Sequence, residues 1–229
     1  MQEIEQALQC WESSLCKNVS HGMLYARNPI AHKWKTTYRC LVLRESIFWR
    51  TNDLLTQAHS LYQARHFLGS RILIRSALES IATLIYLNRQ VAQVLDDSMS
   101  FQDLSKKTSL LLLGSRDQST KHSSINIMSV LDQCEKKYPG IVEMYGTLSE
   151  SAHPNFEGVC FGYSRVDHAK NETNFSNNWA EMWGDRHEPL IKLCIMVFEA
   201  EYNDVWVSQF ERLEAWLVAN DAQLGSSMK

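Results

Sequence analysis

The stretch from Leu68 to Leu87, LGSRILIRSALESIATLIYL, decides the fold. At about 100° per residue its apolar side chains fall on three sides of a helix. The three sides carry Ile74, Leu78, Ile81 and Ile85, then Leu68, Ile72 and Tyr86, then Leu73, Ala77 and Leu84. Because a helix that is apolar all round is packed all round, the pattern predicts a long central helix from about residue 64 to 95.

Two charges interrupt this central helix. Arg75 and Glu79 lie four residues apart, on the stripe that carries Ile72 and Tyr86. We therefore expect a largely buried pair, since a buried charge without a partner is costly. Two interpretations remain open: an ion pair that fixes the register of the helix, or a charged pocket floor that orients an anion or a catalytic histidine.

The remaining sequence also favours helices. Only 9 glycines and 4 prolines occur in 229 residues, and 45% of the residues are hydrophobic, which is typical of a folded chain with few turns. We expect one all-α domain, a bundle of about six or seven helices. The expected segments are an N-terminal helix in 1–18, a core in 37–152, a long loop with one small hairpin at 153–180, a final helix at 185–220 and a frayed tail from Gly225 to Lys229. Within the core, helices are expected at 37–63, 64–95, 101–113, 123–137 and 141–152.

Several classes of protein are disfavoured. No apolar run approaches the roughly 18 residues of a membrane span, and the opening residues MQEIEQALQC carry two glutamates and no basic residue, unlike a signal peptide. The six cysteines form no CxxC pair, which indicates buried thiols in a reducing compartment. We therefore expect a soluble, cytoplasmic protein without a membrane partner.

Charge is distributed unevenly along the chain. Residues 27–50 contain six Lys or Arg against one acid, whereas residues 181–214 contain eight acids against three Lys or Arg. The basic segment includes Trp34 and Tyr38, and basic side chains mixed with aromatic ones are typical of nucleic-acid contacts. Alternatively, the basic and acidic segments neutralise each other within the fold or across a dimer.

A histidine at a predicted helix end is a second candidate for chemistry. In the run Leu148-Ser-Glu-Ser-Ala-His153-Pro154-Asn155, the proline ends the helix directly after His153. We expect such a histidine to be half-exposed, and histidine is the side chain most often used for acid–base catalysis. Asn155 is placed to form a local hydrogen bond.

Three features together resemble the bacterial HEPN-like families of all-helical proteins. They are Arg44-Glu45 in a basic helix, Arg75-Ser-Ala-Leu-Glu79 in the central helix, and the turn that contains His153. The resemblance covers roughly residues 40–165. It implies a helical bundle, often dimeric, and for many members a metal-independent endoribonuclease of toxin–antitoxin or phage-defence systems.

The HEPN signature is an arginine followed by a histidine, with four to six residues between them. No arginine stands at this spacing before His153. Arg27 and His32 match with four intervening residues, the first of them the polar Asn28, and Arg116 and His122 match with five. His153 with Arg75, and Arg27 with His32, therefore both remain candidate catalytic pairs.

The resemblance implies a reaction without a metal or other cofactor. A histidine would take the proton of a ribose 2′-hydroxyl, an arginine would stabilise charge on the phosphate, and Glu79 would orient one of them. The candidate RNA-binding residues are Lys33, Lys35, Arg39 and Asn155. The implied partners are tRNA or another cellular RNA, an antitoxin or defence-system protein, and a second copy in a homodimer. The alternative is a non-catalytic HEPN-like protein that binds a partner protein or nucleic acid.

Overall fold

The computed structural model describes residues 2–226, and its fold is an all-α helical bundle, which confirms the predicted fold class. The helices are α1 (Gln2–Ser14), α2 (His21–Arg27), α3 (Pro29–His32), α4 (Lys35–Gln63), α5 (Phe67–Leu95), α6 (Phe101–Leu113), α7 (Ile127–Cys134), α8 (Ile141–Ala152), α9 (Trp179–Trp183), α10 (His187–Glu199) and α11 (Trp206–Ser226). The strands are β1 (Gly114–Ser115), β2 (His122–Ser123), β3 (Ser164–Asp167) and β4 (Glu172–Phe175).

Local capping explains why the bounds of two helices agree with the sequence prediction. Helix α6 begins after Ser100, whose hydroxyl accepts a hydrogen bond from the Asp103 amide at 3.0 Å, and it ends at Gly114. Helix α8 follows Gly140, which has the positive φ of 94° that glycine tolerates, and it ends before Pro154. Such signals act over a few residues, so they can be identified without the tertiary structure.

Other bounds differ from the prediction. The expected break at 18–36 contains α2 and α3, with Ser20 and Asn28 as their N-caps. Helix α7 is shorter than the predicted 123–137. The predicted helix at 185–220 is interrupted by a 3₁₀-helix (Gly184–Arg186) and a π-helix (Ala200–Val205). Helix α11 continues to Ser226, and the rest of the expected frayed tail lies outside the described residues.

The described chain divides into two compact units. The first, unit 1, contains residues 2–14, 50–81 and 134–196, and the second, unit 2, contains residues 15–49, 82–133 and 197–226. The prediction of a single domain stays a prediction.

The core of unit 1 includes Ile74, Leu78 and Ile81 of α5. Ile72 on the same helix is 37% exposed, so the expectation that α5 is packed on every side is wrong at that position.

The core of unit 2 is formed by apolar residues at helical spacing. The buried members include Leu84, Leu87, Leu104, Leu131, Leu213 and Leu217. Their periodic burial gives each helix one apolar stripe, the pattern by which amphipathic helices pack in globular proteins.

The segment expected to be a long loop has more structure than predicted. It contains a π-helix (Phe156–Phe161) and the expected hairpin, in which β3 pairs antiparallel with β4 and Ser164 lies opposite Phe175. Gly158 is required here, because a Cβ atom at this position would lie 2.0 Å from the carbonyl oxygen of His153. The first turn of the π-helix therefore packs tightly against the end of α8.

Neither cysteine pairing nor a membrane span is present in the described chain. All six cysteines are free; Cys40, Cys134 and Cys194 are buried, whereas Cys10 and Cys160 are exposed and Cys16 is intermediate. The expectation of buried thiols therefore holds for only half of them. Between residues 2 and 226, no helix has both the length and the apolar character needed to cross a bilayer.

Candidate functional site

The first candidate site is a network between α5 and α8 in unit 1, named here the Arg75 network. Arg75 donates from Nε to the Ser149 hydroxyl at 2.9 Å and from Nη2 to the Tyr145 hydroxyl at 2.5 Å. The Tyr145 hydroxyl donates to Glu79 at 2.9 Å, and Arg75 and Glu79 form an ion pair at 3.3 Å. The structure thus contains the expected ion pair, and it also ties one helix to the other.

The environment of this ion pair is close to the prediction. The side chains of Arg75 and Glu79 are 24% and 28% exposed, so most of each side chain is buried, as expected, and the remainder reaches solvent. Burial and the hydrogen bond to Glu79 both raise the pKa of Tyr145, which keeps its hydroxyl protonated as the donor to the carboxylate. Because these polar groups satisfy one another, the network has the character of a clamp between two helices.

His153 lies outside the Arg75 network. It is the C-cap of α8, in an extended conformation with φ −94° and ψ 149°, and its amide donates to the Ser149 carbonyl at 3.1 Å. The side chain is exposed, and its imidazole forms no hydrogen bond, ion pair or ring contact with any residue between 2 and 226. The structure therefore does not bring His153 into contact with Arg75. Pro154 explains this, because it excludes the helical conformation at the preceding residue.

Asn155, proposed from the sequence as an RNA contact, has a local structural role. Its side-chain oxygen accepts a hydrogen bond from the Gly158 amide at 2.9 Å, and its side-chain amide donates to Glu150. Asn155 is thus the N-cap of the π-helix. Asparagine is favoured at such positions because its side chain replaces a missing backbone acceptor.

Arg71 is a site residue that the sequence reasoning missed. It is 1% exposed, one turn before Arg75 on α5, and it donates to the Ser151 hydroxyl at 2.7 Å and to the Thr147 carbonyl at 3.2 Å. Burial lowers its pKa to about 10. The signal was available, because positions 71, 75 and 79 recur every four residues on one helix face.

The second candidate site, named here the Arg27 cluster, consists of Arg27, His32 and Glu214 in unit 2. Nη2 of Arg27 lies 3.3 Å from Nε2 of His32, and the Glu214 carboxylate lies 2.8 Å from the same imidazole nitrogen. Arg27 also forms an ion pair with Glu214. The structure thus brings together the Arg–His pair at 27 and 32 and adds a carboxylate from α11.

Asn28 explains why Arg27 and His32 meet. Its side-chain oxygen accepts from the Ala31 amide at 3.0 Å as the N-cap of α3, while its own amide donates to the Leu24 carbonyl at 3.0 Å at the end of α2. The chain therefore turns between two short helices and returns His32 toward Arg27. Proline at position 29 suits the first position of α3, where no amide donor is needed.

The imidazole of His32 is the most enclosed group of this cluster. Its side chain is 1% exposed, against 57% for Arg27 and 13% for Glu214. Nδ1 lies 3.1 Å from the Thr37 hydroxyl, which in turn donates to the Trp34 carbonyl at 2.9 Å. Burial lowers the pKa of His32, although the neighbouring Glu214 opposes this shift, so the imidazole is neutral at neutral pH.

The other basic candidates near the cluster differ in how they are neutralised. Lys33 forms an ion pair with Asp221 at 2.6 Å, and Arg39 donates to the hydroxyls of Ser109 and Ser105 at 2.5 and 2.8 Å. Burial lowers the pKa of Arg39. Lys35 is exposed and forms no ion pair with the described residues. Arg27 and Lys33 are therefore neutralised by Glu214 and Asp221, acids near the C-terminus, which agrees with the alternative in which the charges neutralise each other within the fold.

Arg44 and Glu45, which the resemblance also rests on, make contacts that stabilise the fold. Arg44 contacts Glu45, donates to the Tyr202 carbonyl at 3.1 Å and lies 3.4 Å from the centre of the Tyr202 ring. The Tyr202 hydroxyl donates to Glu45 at 2.8 Å, and burial raises its pKa. These contacts fix the π-helix at residues 200–205.

The second arginine–histidine spacing match is not supported as a site. Arg116 and His122 form no hydrogen bond or ring contact with each other.

Comparison with known proteins adds no relative to this description. The chain matches no protein-family model, no curated protein and no solved structure. The resemblance to HEPN-like proteins therefore stays a prediction.

Proposed function

We propose that the protein is an endoribonuclease that cleaves RNA without a metal ion, with Arg27, His32 and Glu214 as its reacting groups. The observation that supports this proposal is the 3.3 Å approach of Arg27 to Nε2 of His32, with Glu214 at 2.8 Å from the same nitrogen. An imidazole, a guanidinium and a carboxylate in contact supply a base, a phosphate-binding cation and an orienting anion.

His32 is the general base of the proposed reaction. At the observed distance of 2.8 Å the Glu214 carboxylate accepts a hydrogen bond from Nε2–H. For His32 to act as the base, Nδ1 carries the proton and donates to Thr37, and the Nε2 lone pair accepts the proton of the 2′-hydroxyl when Glu214 has moved away from it. The lowered pKa of His32 favours this neutral form at pH 7. Once Nε2 takes the proton of the ribose 2′-hydroxyl, Glu214 stabilises the resulting imidazolium at the observed distance of 2.8 Å.

Arg27 binds the phosphate. Its side chain is 57% exposed, so the guanidinium can move from Glu214 onto a phosphate oxygen and uncover Nε2 of the otherwise enclosed His32. The 2′-oxygen attacks phosphorus, the bond to the 5′-oxygen breaks, and that oxygen takes a proton from water as the imidazolium returns its own proton to solvent. The products are a 2′,3′-cyclic phosphate and a 5′-hydroxyl.

The RNA contact would extend over the exposed part of the basic segment. Lys35 is exposed and without an ion pair in the described chain, and Lys33 is 45% exposed although Asp221 partly neutralises it. Cations of this kind bind the RNA backbone without reading its sequence. The proposal therefore gives phosphate contact to Lys33 and Lys35, whereas Arg39 holds α6 through its serine contacts.

A cleavage assay tests the proposal directly. Purified protein is incubated with tRNA and with total RNA in EDTA, and the wild type is compared with His32→Ala, Arg27→Ala and Glu214→Gln. We expect cleavage by the wild type, with cyclic phosphate ends detected by mass spectrometry, and a strong loss in all three variants. No cleavage by the wild type, or full activity of His32→Ala, would contradict the proposal.

The proposed nuclease activity suggests a role in bacterial defence. We place the nuclease in the cytoplasm as a homodimeric effector of a phage-defence or toxin–antitoxin system, held inactive by an antitoxin or defence-system protein. Expression in a bacterial host should then arrest growth, and His32→Ala should relieve the arrest. Light scattering of the purified protein checks the dimer.

A second candidate function rests on the surface of residues 156–175. Phe156, Phe175 and Val166 are 71%, 81% and 59% exposed, and such clustered apolar exposure marks interaction surfaces. The alternative is therefore a non-catalytic protein that binds a partner protein through this segment. Absence of cleavage, together with a partner whose binding is lost in Phe175→Ser, would favour this alternative.

A further inference from the structure

Arg71 is a buried cation without a carboxylate partner. Among residues 2–226 no carboxylate oxygen lies within ion-pair distance of its guanidinium. The nearest acid in its network is Glu157, which is reached only through the Ser151 hydroxyl: Arg71 donates to Ser151 at 2.7 Å, and Ser151 donates to Glu157 at 2.6 Å. Buried charges are normally paired or bound to a ligand, so this guanidinium requires an explanation.

Arg71 lines a cavity of about 350 Å³ in unit 1, named here the Arg71 cavity. Its apolar wall includes Met144, Leu148 and Leu190, and its polar groups include Trp183 and Arg186. Ligand pockets typically have volumes of about 300–1,000 Å³ and combine an apolar lining with few polar groups. The cavity therefore has the size and the lining of a small-molecule site.

The polar groups of the cavity are mostly hydrogen-bond donors. The Trp183 ring lies 3.9 Å from the Arg71 guanidinium carbon and 5.0 Å from that of Arg186. Its indole N–H is buried and has no acceptor in the described chain, and Nη1 of Arg71 also donates to none. Asp185 also lines the cavity, but it forms no ion pair with either arginine. A ligand that satisfies these donors must bring acceptors and negative charge.

We propose that the Arg71 cavity binds a small organic oxyanion, a phosphate or carboxylate group attached to an apolar or aromatic body. The oxyanion accepts hydrogen bonds from Arg71 and from the Trp183 indole, and Arg186 adds a second positive charge at the more exposed side. The body of the ligand lies against Met144, Leu148 and Leu190. The proposed anion binding involves none of Arg27, His32 and Glu214, so it does not depend on whether the protein cleaves RNA.

Isothermal titration calorimetry with four probes tests the proposal on the full chain. We expect phenyl phosphate or benzoate to bind with a dissociation constant below about 1 mM. The probe that binds more tightly shows whether the site prefers a phosphate or a carboxylate group. Inorganic phosphate, which lacks the apolar body, and benzyl alcohol, which lacks the charge, should each bind at least about 10-fold more weakly. The proposal is overturned if neither organic anion binds, or if benzyl alcohol binds as well as they do.

Variants of the lining residues assign the binding to this cavity. Arg186→Ala should weaken binding about 10-fold, and Trp183→Phe, which keeps an aromatic ring but removes the N–H, about 5-fold. Arg212→Ala and Trp49→Phe are matched controls at exposed positions outside the cavity, and they should leave affinity unchanged. Unchanged affinity in both Arg186→Ala and Trp183→Phe would overturn the proposal.

Arg71→Met separates a ligand site from a purely structural arginine. Arg71→Met removes the hydrogen bonds to Ser151 and Thr147 together with the buried charge, so affinity is compared in protein shown to be folded, where affinity for the anion should fall more than about 100-fold. Retained affinity in folded Arg71→Met would overturn the assignment. Should this variant fail to fold, Leu190→Trp, which fills the cavity from its apolar wall, must abolish binding, and retained binding in that variant would overturn the proposal equally.

Discussion

The Arg75 network and the Arg27 cluster contain the same ion pair, an arginine with a glutamate, but only the second includes a histidine. In the Arg75 network the remaining partners are the hydroxyls of Tyr145 and Ser149, and these bonds hold α5 against α8. In the Arg27 cluster the shared partner is the imidazole of His32. Hydroxyls that satisfy an arginine make a clamp, whereas an imidazole adds a group that can exchange protons.

The largest expected effect separates the two histidines proposed as bases. His32→Ala should lower the rate of RNA cleavage at least about 100-fold, because general-base catalysis commonly contributes that much. His153→Ala is the matched control and should leave the rate unchanged, since its imidazole forms no hydrogen bond, ion pair or ring contact with another described residue. Rates are measured with the same labelled tRNA for both variants. A loss of cleavage in His153→Ala but not in His32→Ala would show that His153, and not His32, is the base.

The pH dependence of cleavage follows from the same histidine. Burial lowers the pKa of His32, so the neutral base persists at pH 7 and becomes protonated only on acidification below the ordinary value near 6.5. The rate should therefore be constant above about pH 6.5 and fall at lower pH. A rate that rises as the pH is lowered would show that His32 acts in its protonated form.

Stability should respond most strongly in the Arg75 network. Arg75→Ala removes an ion pair and two hydrogen bonds and should lower the free energy of unfolding by about 2 kcal/mol, measured by urea denaturation. Arg212→Ala, at an exposed position, should change it by less than about 0.5 kcal/mol. If cleavage per folded molecule also fell in Arg75→Ala, the network would be more than a clamp.

His59 offers a smaller test of what a carboxylate partner does for a buried histidine. It is 5% exposed, and neither ring nitrogen has a hydrogen-bond partner in the described chain. Burial lowers its pKa, so the unfolded state binds the proton more tightly and stability should fall as the pH drops below about 6.5. His59→Leu should reduce this loss and raise the unfolding free energy at pH 5.5 by about 1 kcal/mol. An unchanged pH dependence in His59→Leu would contradict this expectation.

The smallest effect on folding is expected at the surface of residues 156–175. Phe175 is 81% exposed, so Phe175→Ser should alter the unfolding free energy by less than about 0.5 kcal/mol. If this surface binds a protein, the same substitution should abolish complex formation in a gel-filtration assay. A large destabilisation would instead show that Phe175 belongs to the packed structure.

The sequence was most informative where signals act locally. Ser100 and Gly114 delimit α6, and Pro154 ends α8, so both helices could be predicted to the residue. The C-terminal helix could not, because its interruption at residues 200–205 is accompanied by contacts of Tyr202 with Arg44 and Glu45, more than 150 positions earlier in the chain. Long-range contacts of this kind leave no periodic trace in the sequence.

The same division applies to the candidate sites. The spacing of Arg27 and His32 on either side of the Asn28 cap identifies a possible pair from the sequence alone, as does the four-residue spacing of Arg75 and Glu79. Hydrophobic periodicity and capping determine the helices because both depend on neighbours within a turn or two. Only the tertiary structure decided that Glu214, 187 positions after Arg27, completes one cluster, that His153 stays outside the other, and that Arg71 is buried without a carboxylate. Such pairings depend on how the helices pack, which the spacing of residues along one helix does not specify.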